Sequence, residues 1–299
     1  MNSMNLNEVY TQDSTVITFE IFPPKGEDFQ EKLTNLLNEV NLLKKFNPSF
    51  ISVTYGAGGS TQERTSEISL RLKKDLNLNV LEHFTCVGST KEQILDHIKS
   101  LEQLDIKNVL ALRGDPPKGD DKFVKPKGGF GYANELVEFI KANTNLSIAV
   151  AGYPEKHLEC SNFELDLENL KRKVDAGADV IITQVFYDNR YFFDFVNKVR
   201  AIGITIPIIP AILPITAYSQ VERMITLTGT SIPDEFLKEL ELNKDDKAKV
   251  EEIGINHSSK QCKELLEFGV KGIHFCILNK AHATTNILEN VIKEKVLSV

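Results

Sequence analysis

Cysteine is scarce in this 299-residue sequence: Cys86, Cys160, Cys262 and Cys276 are widely spread and no two form a CxxC pair. That fits a reducing compartment better than a disulfide framework. His83 and Cys86 could be a metal pair, but no second ligand pair at zinc-like spacing accompanies them, and a buried strand cysteine explains Cys86 as well. Positive charge is also short. With 35 Lys and Arg against 42 Asp and Glu, the formal net charge is −7, and no basic stripe is available to displace counterions from a phosphate backbone, so nucleic acid is not an expected partner. Long apolar runs are missing too. The most apolar stretch, Ile204 to Ile215, is too short to cross a bilayer and is broken by Pro207, Pro210 and Pro214. Residues 1–14 are polar and show no secretory pattern. The expectation is a soluble, cytoplasmic protein with no membrane partner.

Hydrophobic residues make up 41% of the chain, enough for a sizeable core, and no composition break marks a linker. Eight short apolar runs have strand character: Thr15 to Phe22, Phe50 to Tyr55, Val80 to Val87, Asn108 to Arg113, Ser147 to Ala151, Asp179 to Phe186, Pro207 to Leu213 and Gly272 to Leu278. Helical patterns such as Arg64 to Lys74, Lys91 to Leu104, Phe163 to Val174 and Tyr191 to Val199 alternate with them, which indicates parallel strands. Thr90 with Gln93, and Ser161 with Glu164, match the capping box. Gly177 and Gly203 sit where helix C-terminal glycines belong. From Thr216 to Gly269 the pattern reads as two or three helices before the last strand. The seventh run is the weakest strand, because its prolines cannot donate ladder hydrogen bonds. The expected fold is an α/β, (β/α)8 TIM barrel over residues 15–299 behind a polar N-terminal segment, 1–14.

Many of these runs carry a polar or ionisable residue near their C-terminal ends: Glu20, Thr54-Tyr55, His83, Arg113-Gly114-Asp115 and Gln184. In a parallel barrel those ends meet at one face, which points to an enzyme. A doubly wound sheet would instead need a glycine-rich phosphate turn. Gly56-Ala57-Gly58-Gly59-Ser60 has Thr61 where the third glycine belongs, and these glycines read better as a flexible rim loop.

Several motifs, in order and in register, resemble the methylenetetrahydrofolate reductase family: Phe19-Glu20-Ile21-Phe22-Pro23-Pro24, Val53-Thr54-Tyr55-Gly56-Ala57-Gly58-Gly59, Ala111-Leu112-Arg113-Gly114-Asp115-Pro116-Pro117, Tyr153-Pro154-Glu155, the run Leu170 to Ala178, Ile182-Thr183-Gln184, Ile209 to Pro214 and His274-Phe275. The resemblance spans about residues 15 to 285. It implies a flavin-dependent barrel that reduces 5,10-methylenetetrahydrofolate to 5-methyltetrahydrofolate, holds FAD non-covalently, takes electrons from NADH or NADPH, and assembles as a homodimer or homotetramer. The chain looks like the short bacterial form of the family.

Glu20 stands among Phe19, Ile21 and Phe22, surroundings that would raise its pKa and keep a general acid protonated. By similarity it would protonate the folate nitrogen that leaves on ring opening; otherwise it is a strand residue facing solvent. Asp115, by similarity close to flavin and folate, would stabilise an iminium cation and make the flavin harder to reduce, although Asp-Pro also favours a plain turn. Asp166, Asn169, Arg172 and Lys173 lie on adjoining parts of one helix surface, a pattern that a solvated charged face also explains. The resemblance assigns them to the FAD ribose and pyrophosphate. Thr54, Tyr55, His83, Arg113, Gly114, Tyr132, Ala133, Tyr153 and His157 would complete the FAD site, although a lone strand histidine such as His83 is usually a core residue.

Gln184 and Gln220 resemble the residues that hydrogen-bond the pterin or the nicotinamide amide. In the substrate site Lys280 stands where many relatives have arginine, and Met224 where an aromatic ring often packs. A lysine cannot reproduce the planar bidentate fork. Two other readings remain open at this level: a flavin-free folate barrel for one-carbon transfer, and a non-catalytic partner subunit of an electron-transfer complex.

Overall fold

Alternate side chains of a strand face opposite ways, and here that alternation divides the molecule into a barrel interior and an outer layer under helices. The computed structural model describes residues 3–55, 62–115, 123–294 and 296–297. Its strands are β1 (Val16–Ile21), β2 (Phe50–Val53), β3 (Val80–Thr85), β4 (Asn108–Leu112), β5 (Ser147–Gly152), β6 (Val180–Thr183), β7 (Ile208–Ile209), β8 (Ala211–Ile212) and β9 (Gly272–Cys276). All pairs are parallel, in the order β7, β6, β5, β4, β3, β2, β1, β9, β8. The first and last of these are halves of one run separated by Pro210, so the sheet closes into the expected barrel. The glycines of the expected rim loop, 56–59, and Pro116-Pro117 lie outside the described residues.

Proline chemistry explains why the seventh run splits. Pro207 and Pro210 offer only their carbonyls, which accept from Ile181 N at 2.9 Å and His274 N at 3.0 Å. Ala211 N turns to a side chain, donating to Thr183 Oγ1 at 3.1 Å. The run therefore bonds one neighbour before Pro210 and the other after it.

The helices are α1 (Leu6–Tyr10), α2 (Phe29–Leu43), α3 (Gln62–Leu76), α4 (Lys91–Gln103), α5 (Ala133–Asn143), α6 (Phe163–Asp175), α7 (Asn189–Ala201), α8 (Ser219–Thr228), α9 (Asp234–Leu242), α10 (Lys247–Phe268) and α11 (His282–Lys293). Three of them, α8 to α10, fill the long interval before the last strand. The Thr90–Gln93 box opens α4 with both of its reciprocal bonds. The box expected at Ser161–Glu164 is replaced: Asn162, one residue on, caps α6 by accepting from Leu165 N at 2.8 Å. Asparagine is among the best capping residues, and its side chain occupies the role assigned to the serine. Gly177 and Gly203 adopt φ of +115° and +81° just after α6 and α7.

Outward residues such as Phe19, Ile51, Val109, Ile148, Ile181 and Phe275 pack under the helices. Inward residues, among them Val16, Phe50, Leu81, Leu110 and Val180, form a separate interior cluster. Leu6, Val9 and Tyr10 of α1 belong to that interior cluster. Their spacing puts them on one side of a single helical turn, and an Asn5–Glu8 capping box starts it. Asn108 Nδ2 donates to Met4 O at 2.9 Å and Asn7 Nδ2 to Asp179 Oδ1 at 3.1 Å, so α1 seals the N-terminal ends of the strands. Leu6 is fully buried while Leu42 is 59% exposed. Leu6→Ala should cost about 2–4 kcal/mol in urea unfolding, against under about 0.5 kcal/mol for Leu42→Ala. Equal midpoints for the two variants would show that the plug contributes nothing.

Candidate functional site

Glu20 faces into the barrel, and its sequence neighbours do not face it. Phe19 and Ile21 point outward into the helix-covered layer, while Glu20 meets residues of β2, β3 and β9. Its strand partners are Ser52 on one side and Cys276 on the other. Oε2 lies 3.4 Å from His274 Nε2 and 3.4 Å from His83 Nε2, and Oε1 accepts from the Cys276 thiol at 3.5 Å. The expectation of a raised pKa is therefore overturned. Burial does push the carboxyl up, but hydrogen bonds and positive charge from His274 and His83 outweigh it and hold it well below the usual carboxylate range. Burial and the neighbouring Glu20 raise the Cys276 thiol, which keeps it an S–H donor.

A cavity of about 300 Å³ opens above Glu20 and brings together Thr54, His83, Arg113, Gly114, Asp115, Tyr153, His157 and Gln184 with it. Gly114 turns the chain at the end of β4 with φ +87°, and a Cβ there would come within 2.6 Å of Val87 Cγ2. Only glycine fits that turn, which carries Asp115 to the mouth. Gln184 Oε1 accepts from Val185 N at 2.8 Å.

A second cavity, about 430 Å³, shares Leu112, Arg113, Ala151, Tyr153 and His157 with the first, so the two form one elongated cleft. Tyr132, Ala133, Asp166, Asn169 and Lys173 line this further part. Lys173 Nζ donates to Ala151 O at 2.5 Å and lies 5.8 Å from the centre of the Tyr153 ring. Burial pushes its ammonium down to about 8, with Asp166 pulling the other way. Among the described residues Lys173 has no carboxylate within ion-pair distance, so this cation faces the cleft with a carbonyl as its hydrogen-bonded partner. That chemistry fits the phosphates of a dinucleotide. Arg113 differs: Glu159 grips it with two bonds of 2.5 and 2.7 Å. His157 is lowered by burial first and by Arg113 second.

Four expected site residues lie outside this cleft. Tyr55 packs toward Phe84, with ring centres 6.3 Å apart. Arg172 is exposed and bonds Asn169 Oδ1 at 3.1 Å. Gln220 Oε1 accepts from Thr216 N at 2.6 Å and Ala217 N at 3.0 Å at the start of α8. Lys280 lines a neighbouring cavity of about 120 Å³ that shares Cys276 with the first. Met224 packs between the barrel interior and the cluster under α9 and α10. Among the described residues no group of His, Cys, Asp and Glu could hold a metal ion, and no helix is long and apolar enough to cross a membrane.

The residues to which reading the sequence assigned no role are Thr18, Ser52, His274 and Cys276 around Glu20 and its histidines, and Glu159 beside Arg113. His274 and Cys276 share the inward phase of β9, a period-two signal present in the sequence. That β9 lies beside β1 is a fact of closure.

The methylenetetrahydrofolate reductase family profile matches residues 5–292. A probable methylenetetrahydrofolate reductase (NADH) of Oryza sativa is 41% identical over 96% of this chain and 50% of its own length. Methylenetetrahydrofolate reductase (NADH) 1 of Arabidopsis thaliana is 40% identical over the same shares. The chain thus spans about half the length of these plant relatives. The 5,10-methylenetetrahydrofolate reductase of Escherichia coli is 34% identical over 94% of this chain and 92% of its own. A solved Clostridium thermocellum protein, described as uncharacterized and binding two copies of 5-methyl-5,6,7,8-tetrahydrofolic acid, shares the fold with a TM-score of 0.64 at 16% identity, covering 98% of this chain and 100% of that one. By profile and by sequence, this chain belongs to the methylenetetrahydrofolate reductase family.

Proposed function

We propose that the chain reduces 5,10-methylenetetrahydrofolate to 5-methyltetrahydrofolate with electrons from a nicotinamide, using non-covalently held FAD. The observation that carries this reading is the position of Glu20, a carboxylate sharing one barrel-mouth cavity with Asp115 and Gln184 in a chain of this family. The plant relatives, named as NADH enzymes, favour NADH as donor. Bound FAD would supply a ring able to accept hydride and give it back. The cleft residues would hold it, with Lys173 and Asn169 toward its phosphates and Tyr55 and Arg172 supporting from outside the cavities.

The chain's own residues then have separable tasks. Glu20 delivers a proton to the folate nitrogen whose bond to the methylene carbon breaks. The bonding pair stays on that nitrogen and the carbon becomes an iminium cation, which the negative charge of Asp115 stabilises. Gln184 commits its Oε1 to Val185 N, leaving amide N–H groups for a carbonyl of the pterin or nicotinamide. Gln220 holds the start of α8 beside the site. Lys280 meets carboxylates of the folate tail as a point charge. A cytoplasmic homodimer or homotetramer belongs to the same reading.

Anaerobic rapid mixing tests it. In Glu20→Gln, bleaching of the flavin band by NADH should keep its rate, while reoxidation by methylenetetrahydrofolate should slow by about a hundredfold or more. A colourless wild type that still turned over folate would replace this reading with flavin-free one-carbon transfer. Unchanged halves in the variant would remove Glu20 from the chemistry.

Lys173 gives a pH test. Its ammonium loses its proton near pH 8 in the free chain, and a phosphate binds the charged form, so affinity is full below that pH and declines above it. Fluorescence titration of the flavin-free protein with FAD should show affinity about tenfold weaker at pH 9 than at pH 7. Lys173→Met should bind more weakly at neutral pH and lose this dependence. A flat wild-type profile from pH 7 to 9 would take Lys173 off the phosphates.

A further inference from the structure

The donors around Glu20 suit an anion. Both flanking imidazoles approach Oε2 and the thiol approaches Oε1, so a proton placed on the carboxyl would oppose contacts that only a carboxylate accepts fully. Yet the folate reading requires a proton to leave through this residue. The proton must therefore rest on a neighbour, and the two histidines are not equivalent.

His83 uses a single nitrogen for two partners: Nε2 lies 2.7 Å from Ser52 Oγ and 3.4 Å from Glu20. His274 uses both nitrogens separately, Nδ1 lying 2.8 Å from Thr18 Oγ1 and Nε2 3.4 Å from Glu20. With both ring nitrogens protonated, each N–H of His274 has its own acceptor. After the Nε2 proton leaves, Nδ1–H still donates to Thr18, so the ring changes charge without moving. The ring is 1% exposed and stands against Phe50, with centroids 6.5 Å apart.

We infer that His274 is the proton-holding residue of this site, passing its Nε2 proton to Glu20, which passes it to the substrate nitrogen, with Thr18 fixing the imidazole. This rests on the folate-reducing reading. In balance, one proton leaves His274 Nε2, Glu20 takes it up and releases it, and the folate nitrogen gains it as its bond to the methylene carbon breaks. The reductant supplies hydride to the carbon, and His274 recovers a proton from solvent between turnovers. His274 and Glu20 are faced by His83 from β3, Cys276 from β9, and Arg113 and Asp115 beyond β4, with His157 and Tyr153 across the cavity. Tyr10 of α1 lies beside Thr18, and Tyr187, after β6, lies beside Cys276.

The experiment pairs infrared spectroscopy with half-reaction kinetics. Glu20→Gln difference spectra isolate the Glu20 carboxyl in the substrate-free protein, with and without flavin. Wild type should show a carboxylate and no protonated C=O band at pH 7. His274→Gln should let that band appear, slow the folate half-reaction by about a hundredfold and shift its pH profile, with the nicotinamide half-reaction unchanged. Because His274 is buried, Thr18→Val and Thr18→Ser serve as a second arm: valine keeps the shape and should slow the folate step by about tenfold, while serine, which keeps the hydroxyl, should restore it. A C=O band of Glu20 in wild type at pH 7, or a folate step in His274→Gln with the wild-type rate and pH profile, would overturn the assignment. If wild type itself cannot pass hydride to the folate, the functional reading falls, a result distinct from turnover that is indifferent to His274.

Discussion

Closure of the barrel at Pro210 is the constraint on which the site depends. β9 reaches β1 on one side and β8 on the other, and the bond from His274 N to Pro210 O at 3.0 Å ties the residue beside the Glu20 carboxylate to the residue that splits the seventh run. A proline there forces β7 and β8 to serve different neighbours. An unbroken strand would need a ladder donor at that point, which proline lacks. The interruption is part of how the last strand is seated, and the seating of β9 brings His274 and Cys276 against Glu20.

Electrostatically the cleft has two unlike ends. At the barrel axis a buried carboxylate is surrounded by donors, so its charge is balanced inside the protein. Farther out, Lys173 is a half-buried cation whose nearest acceptor is a carbonyl. The first arrangement is complete in itself and suits proton handling. The second is satisfied only in part, as expected where an anionic ligand supplies the remainder.

The sequence displayed the strand and helix order, the Thr90 cap, the position of Glu20 near a strand end and the grouping of Asp166, Asn169 and Lys173. It misled at Glu20 because adjacency in a strand is opposition in space: Phe19 and Ile21 colour the local composition but occupy the other face. Glu82 and His83 make the same point. His83 faces Glu20, while fully buried Glu82 faces outward, accepting from Ser69 Oγ at 2.6 Å and contacting His97 Nε2 at 2.8 Å. That outward carboxylate gave no signal in the sequence, since its partners come from α3 and α4. The α1 plug was missed for a related reason. Its three apolar residues occupy one side of a single turn, too short for periodicity to stand out from a polar segment.

Arg113 and Lys173 both line the cleft, and their surroundings separate them. Arg113 is already held by a two-bond fork from Glu159 and stacked 5.2 Å from the Phe123 ring centre. An incoming anion would have to displace a charged partner there, and the net gain would be the difference between two similar forks. Lys173 would give up only a carbonyl and would regain the charge stabilisation that burial removes. An anion entering the cleft would therefore gain more from Lys173 than from Arg113. Arg113, locked to Glu159 on the wall common to both cavities, keeps that wall in place and leaves Gly114 and Asp115 positioned at the mouth.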